Sequence, residues 1–322
     1  MAAGAPVLGA HSSQNPAPRG GSTPKRAILS LRDLSFISLA LIPQAATAHV
    51  AVAPANAPFL HLDFWLGPML WMGLLAYGLG LCRLWRGGSG RGVSGLRACA
   101  FAAGWTVLAL SLIGPLDRWA AASLAAHVSQ HMLLMTVVPP LMLLGLPGVV
   151  LIGLLPSRAA RVLTRPMNRW RQAGFWRRLS SLGGATLIQA AVMWGWHLPA
   201  AMALALHSDA VHWLMHLSFL AVGLWFWAAL LHGVREPRYG AGMSAIAIVG
   251  SMISMGLLGA LMTFADTPRY PTYIEHAQQF GYSALEDQQL AGLIMWVPSS
   301  LPYLMGGLAI VALWMRRSDR RA

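Results

Sequence analysis

Two pairs of histidines are the residues of this sequence whose type and spacing could do chemistry. His127 and His131 form the first pair, and His212 and His216 form the second. Residues four apart in a helix project from one face, one turn apart. Neutral imidazole binds copper, zinc, iron and nickel, so two facing pairs would offer up to four ligands to one ion. For either pair alone, the alternative is a hydrogen bond between helices.

Four further residues could complete such a site. His197, within the segment 194–199, is either a fifth ligand, a residue that supports a ligand, or a cap at the membrane interface. Asp287 either hydrogen-bonds a ligating imidazole or stabilises the start of a helix. Met135 and Met215 accompany the two pairs. A thioether would favour Cu(I), although methionine in an apolar helix commonly serves packing.

Histidines near the predicted start of the mature chain are additional candidates. Cleavage after Ala48 would give His49 a free α-amino group beside its imidazole, a good chelating unit for copper. His61 and His276, on segments outside the apolar runs, are candidates of the same rank. For each of these three, the alternative is a solvated histidine with no metal.

Membrane helices must position these side chains. The 322-residue chain is 56% hydrophobic and 10% charged, whereas about a quarter of the residues of a soluble domain are charged. Apolar runs of about 20 residues recur, each long enough to cross a hydrocarbon layer as a helix. We therefore predict an all-α bundle of seven transmembrane helices. Its spans are roughly 64–83, 98–116, 120–140, 182–199, 211–231, 241–264 and 288–315.

The stretch 119–156 is too long for one span and too short for two with a turn. We predict one crossing that ends near Pro139-Pro140, followed by an interfacial or re-entrant stretch as far as Pro156. Irregular backbone at that depth requires protein around it.

The chain divides into four parts. Residues 1–48 have the form of a polar leader followed by a cleavable signal peptide, the alternative being an uncleaved anchor. Residues 49–63 are predicted as an outer N-terminal segment, 64–315 as the seven-span membrane domain and 316–322 as a basic cytoplasmic tail.

The basic residues set the orientation. The formal net charge of +13 could suggest nucleic acid as a partner. Of the 23 basic residues, however, 17 lie in four short alternate segments of a membrane protein, so nucleic acid is not expected as a partner. These segments are 83–97, 158–178, 235–238 and the tail after Trp314. The positive-inside rule places them in the cytoplasm. The mature N-terminus and both histidine pairs are then predicted at the outer face, and the C-terminus inside.

Four motifs follow one another along the apolar segments. They are His127-Val-Ser-Gln-His131-Met-Leu-Leu-Met with Pro139-Pro140-Leu and Gly145-Leu-Pro147, then Trp196-His197-Leu-Pro199, then His212-Trp-Leu-Met-His216 leading to Phe226-Trp227, and finally Asp287-Gln288-Gln289-Leu-Ala-Gly292-Leu-Ile-Met295-Trp296. Over roughly residues 60–315, the chain resembles the CtaG-type cytochrome c oxidase assembly factors of bacteria. In this sequence Met215 stands where that family often has an acid.

The resemblance implies a seven-span protein of the bacterial plasma (inner) membrane that helps to build haem–copper oxidases by supplying or inserting copper. Its partners would be cytochrome c oxidase subunits and the lipid bilayer, and it would not be an enzyme. The same resemblance implies that the two histidine pairs bind the metal and that His197 and Asp287 lie nearby.

Two other functions fit a membrane protein with histidines. A haem-binding or quinone-reacting electron-transfer protein is less favoured, because axial haem ligation does not need two histidines on each helix. A copper transporter would need polar groups that continue into the inner half of the membrane, where this sequence has almost no ionisable residues. The sequence therefore favours copper binding near the outer face.

Overall fold

The computed structural model describes residues 62–156, 158–162, 181–233, 240–274 and 281–319. The regular secondary structure of these residues is helical, and they contain no strand.

The predictions for the leader, the signal peptide and three histidines lie outside the described residues. The three are His49, His61 and His276.

The membrane domain is a bundle of helices joined by short turns. In chain order its elements are α1 (Leu62–Trp85), α2 (Gly95–Leu112), α3 (Pro115–Ala120), α4 (Leu124–Met132), a π-helical turn (Leu133–Val137), α5 (Val138–Leu144), α6 (Pro147–Ile152), α7 (Leu182–Trp196), α8 (Pro199–His207), α9 (Asp209–Gly233), α10 (Gly240–Thr263), α11 (Ala284–Trp296) and α12 (Leu301–Asp319).

The predicted all-helical membrane bundle is confirmed. Among the described residues, six helical stretches are long and apolar enough to cross a membrane, with α11 and α12 together forming the last of them. Helices α7 and α8 meet at an angle of 72° and make a seventh if the bent pair is one span. The fourth predicted span, 182–199, therefore ends earlier than expected, because α7 stops at Trp196 and Pro199 starts a new helix.

The third span does not end at Pro139-Pro140, as the sequence predicted, but continues to Leu144. The π-helical turn precedes the two prolines, so they occupy the first turn of α5, where a missing backbone N–H is tolerated. The Thr136 hydroxyl donates to the Met132 carbonyl at 2.8 Å. This bond occupies a carbonyl next to the irregular turn, as lipid surroundings require.

A short helix, α6, follows in place of a second crossing, as predicted for the stretch that reaches Pro156. Leu146 enters it with a left-handed backbone (φ 51°). α6 packs against α1, where a Cβ on Gly80 would lie 2.6 Å from the Val150 carbonyl oxygen. The Arg83 guanidinium donates to the Leu154 carbonyl at 2.9 Å. The irregular backbone is thus held by neighbouring protein.

The π-helical turn that follows α4 approaches α9 closely because of one glycine. A Cβ on Gly223 of α9 would lie 2.7 Å from the Met135 carbonyl oxygen and 2.8 Å from Cγ of Pro139. Only a residue without a side chain fits there, since backbone atoms cannot give way. The contact brings the π-helical turn against α9, one to two turns from the histidines.

Candidate metal centre

Three histidines from α4 and α9 converge at one point of the bundle. One ring nitrogen from each of His127, His131 and His216 lies within 4.8 Å of the other two. Metal–nitrogen bonds are about 2.0–2.1 Å long, so nitrogens that share a tetrahedral ion stand roughly 3–4 Å apart. Modest rotations of the imidazoles would close the remaining gap. We call these three residues, with His212 and His197, the histidine cluster.

His212 joins the cluster from α9. Its Nε2 lies 3.2 Å from Nε2 of His216, and its ring centroid is 5.3 Å from that of His127. Both predicted pairs therefore face a common centre. At 8% exposure, His212 is the least buried of the five histidines.

His197, the residue that follows α7, lies at the side of the cluster next to His131. The two ring centroids are 6.3 Å apart. Nδ1 of His197 lies 2.7 Å from the Met193 carbonyl, and a carbonyl only accepts, so Nδ1 carries the proton. Its Nε2 keeps a lone pair and is buried with no hydrogen-bond partner among the described residues. Nε2 of His197 could thus serve as a metal ligand at the side of the cluster.

His131 gives the clearest indication that a metal fits here. The side chain is completely buried, and its ring stacks on Phe219 with centroids 4.5 Å apart. Within the described parts of the chain, neither ring nitrogen has a hydrogen-bond partner. Leaving a buried polar group unsatisfied costs about 1–3 kcal/mol. A metal ion bound to this imidazole would satisfy its lone pair.

Two tyrosines in the segment after α10 orient the cluster. The Tyr273 hydroxyl lies 2.9 Å from Nδ1 of His127 and donates to the Ala120 carbonyl at 3.3 Å. With its only proton on that carbonyl, the hydroxyl accepts from Nδ1–H of His127 and leaves Nε2 for a metal. Tyr270 donates to the His197 carbonyl at 2.8 Å.

Both tyrosines remain protonated at physiological pH. Burial raises the pKa of Tyr270 to about 12, and burial, aided by the charge of Asp287, raises the pKa of Tyr273. Sequence reasoning missed both residues. Their only sequence signal is an aromatic residue in a short connection, and that signal is common in membrane proteins.

Asp287 holds the start of α4. Its carboxylate accepts from the Ser123 hydroxyl at 2.7 Å and from the backbone N–H groups of Leu124 (2.6 Å) and Ala125 (3.2 Å). Of the two roles predicted for Asp287, these contacts match the stabilisation of a helix start. The helix is α4, however, and not α11, which carries Asp287 itself. The negative charge also complements the α4 dipole. Asp287 thereby fixes the helix that bears His127 and His131.

The two glutamines after Asp287 secure the segment that carries the tyrosines. Gln288 Oε1 accepts from the Arg269 backbone N–H at 2.6 Å, and Gln289 Nε2 donates to the Ala265 carbonyl at 3.3 Å. The sequence offered these residues only as part of a motif. The structure indicates that Asp-Gln-Gln joins α11 to both sides of the histidine cluster.

Replacing Asp287 with alanine is expected to lower the free energy of unfolding by about 2–3 kcal/mol, because a buried carboxylate and three hydrogen bonds are lost. Thermal unfolding of the detergent-solubilised protein measures the change. Asp266 lies in the segment that follows α10 and makes a matched control: Asp266→Ala should leave the midpoint almost unchanged. Equal midpoints for the two variants would contradict the capping role.

Met135 and Met215 are both buried in the core of the bundle. Met135 lines a small cavity one helical turn further into the bundle. Met215 directly precedes His216 in α9 and packs in the hydrophobic core.

The histidine cluster lies at the end of the bundle where α4, α9 and α11 begin and α7 ends. Helix direction places the arginine-bearing ends opposite, for example Arg83 in the last turn of α1 and Arg97 in the first turns of α2. Among the described residues, most arginines therefore lie at the end of the bundle away from the histidine cluster, whereas Arg118 and Arg269 lie at the same end as the cluster. The outer placement of the cluster stays a prediction of the positive-inside rule.

A family model described as cytochrome c oxidase caa3 assembly factor (Caa3_CtaG) matches residues 75–317. The chain belongs to this family. The match includes the whole histidine cluster and Asp287, and it confirms the resemblance seen in the motifs. The protein is thus a multi-pass membrane protein of a family that assembles cytochrome c oxidase. No curated protein and no solved structure matches the chain.

Proposed function

We propose that this assembly factor binds copper at the histidine cluster and supplies it to a cytochrome c oxidase subunit during assembly. The observation that carries the proposal is the convergence of three buried imidazoles, with ring nitrogens within 4.8 Å of one another. One of them, His131, has no hydrogen-bond partner at either nitrogen among the described residues. The family assembles cytochrome c oxidase, so an oxidase subunit is the proposed recipient of the metal. Copper is favoured over zinc because a haem–copper oxidase needs copper.

The cluster suits a metal that is held and then released. Imidazoles bind metal ions as neutral ligands. His212, the most exposed of the five, would be the first ligand to exchange with those of a partner. No bond of a substrate is made or broken, so the proposed role is that of a metal carrier and not of an enzyme.

The packing of the rings argues against the haem alternative. The imidazoles of His127, His131, His212 and His216 contact one another with centroids 4.3–6.2 Å apart, and His131 also stacks on Phe219 at 4.5 Å. The space beside each imidazole is thus filled by other rings, which leaves no room for a planar macrocycle. A single ion between the rings needs no such space.

A complementation experiment tests the proposal. In a strain that lacks the gene, the unaltered protein should restore oxidase with normal copper per haem, measured on the purified oxidase. The variant His131→Ala/His216→Ala should yield oxidase depleted of copper. His207→Ala serves as the control, since His207 is exposed and bonds to the Ala203 carbonyl outside the cluster. Fully copper-loaded oxidase from the double variant, at equal membrane abundance, would refute the proposal.

A further inference from the structure

A second set of side chains that could bind a metal lies one helical turn further into the bundle than the histidine cluster. Met135, Met193 and Met255 line a common cavity between the π-helical turn, α7 and α10, together with Gln189 and Ser251. All three methionines are buried. The cavity has room for about one water molecule, which is also enough for one metal ion.

The cavity continues directly from the cluster. Met135 follows His131 by four residues, and Met193 precedes His197 by four, so each methionine lies on the helix face of a cluster histidine. The Met193 carbonyl is the acceptor for Nδ1 of His197. Met135 therefore lies on the same helix face as His131, and Met193 on the same helix face as His197.

Two polar side chains line the cavity beside the methionines. Gln189 is 3% exposed, and its amide nitrogen donates to the hydroxyl of Tyr303. Its Oε1 and the hydroxyl oxygen of Ser251 have no hydrogen-bond partner in the described part of the chain. Buried groups in this state are commonly satisfied by an ordered water or a bound ion. The thioethers facing them are weak acceptors for water but good ligands for a soft cation.

The charge of the surroundings restricts the occupant further. The residues that line the cavity are methionine, glutamine, serine, alanine and tyrosine, with no acid among them. A cation at this depth is costly without a counter-ion, and the cost grows with its charge. A monovalent ion is therefore favoured over a divalent one.

We infer that the cavity is a binding site for Cu(I), held by the thioethers of Met135, Met193 and Met255 and the amide oxygen of Gln189. The inference rests on the proposed function for the identity of the metal. It adds a second, thioether site to the imidazole site, with a ligand set that selects the reduced ion.

Metal titration of the purified full-length protein tests the inference. The probes are Ag(I), a redox-inert analogue of Cu(I), and Zn(II), which thioethers bind poorly. The variant Met135→Leu/Met193→Leu/Met255→Leu should bind one equivalent of Ag(I) less than the unaltered protein and the same amount of Zn(II). The control is Met202→Leu/Met262→Leu/Met295→Leu, which changes three buried methionines away from the cavity. Equal Ag(I) binding by the two triple variants would overturn the inference.

A second measurement keeps the native methionines and separates this site from the histidine cluster. His131→Ala/His216→Ala should lose Zn(II) binding but retain the cavity equivalent of Ag(I), and X-ray absorption should show sulfur as a neighbour of the bound ion. Absence of sulfur scattering would overturn the thioether site. Unchanged Zn(II) binding in this variant would instead count against the histidine cluster, and so against the proposed function.

Discussion

Replacing His131 and His216 together by alanine should reduce the Cu(II) bound by the purified protein at least about tenfold, because two of the three converging histidines are lost and the thioether cavity selects Cu(I). Titration of the metal-free protein with Cu(II) measures the effect. His207→Ala should retain full copper, since that histidine lies outside the cluster. Equal copper in the double variant and the control would remove the proposed centre.

A packing control distinguishes loss of ligands from loss of structure. Alanine at position 131 leaves space beside Phe219, on which the imidazole stacks, and such space lowers stability. The variant His131→Leu/His216→Leu fills the volume without offering a nitrogen. It should lose copper as completely as the alanine variant, while its thermal midpoint stays closer to that of the unaltered protein. Copper binding restored by leucine would show that packing, and not ligation, determines the metal content.

A single methyl group added to α9 at Gly223, about two helical turns from His216, should also weaken copper binding. In Gly223→Ala the new Cβ would meet the Met135 carbonyl and Pro139, so α9 must move away from the π-helical turn. We expect a loss of about 1–3 kcal/mol in stability and, because the two histidine pairs separate, at least about a tenfold weaker copper affinity.

Gly250 provides the matched control for this prediction. It lies within α10, and nothing stands within 4 Å of a Cβ added there. Gly250→Ala should therefore stabilise its helix by about 0.5–1 kcal/mol and leave copper affinity unchanged. Copper titration measures the copper affinity of both variants, and thermal unfolding measures their stability. A Gly223→Ala protein that binds copper as tightly as Gly250→Ala would show that the close approach of α9 does not position the cluster.

The sequence was sufficient for the membrane class, the helical fold and both histidine pairs. Crossing a lipid bilayer depends on the length and apolarity of one segment at a time, and a spacing of four residues places two imidazoles on one face of any helix. The resemblance carried by four ordered motifs pointed to the family that the match over residues 75–317 confirms.

Local rules failed where packing decides the outcome. Pro139-Pro140 normally marks the end of a helix, yet a π-helical turn lets the chain continue to Leu144. The turn is held against α9 at Gly223, a contact between residues far apart in the sequence. The sequence had likewise left two roles open for Asp287.

The tertiary structure alone decided which faces of the helices meet and what supports them. Asp287 reaches Ser123 across 164 positions, and Tyr273 reaches His127 across 146. Such contacts depend on how helices rotate and pack, which is set by the sum of many small side-chain contacts and not by the pattern of any one segment. Composition and spacing could therefore predict the histidines of the cluster, whereas their convergence came from the packing of the bundle.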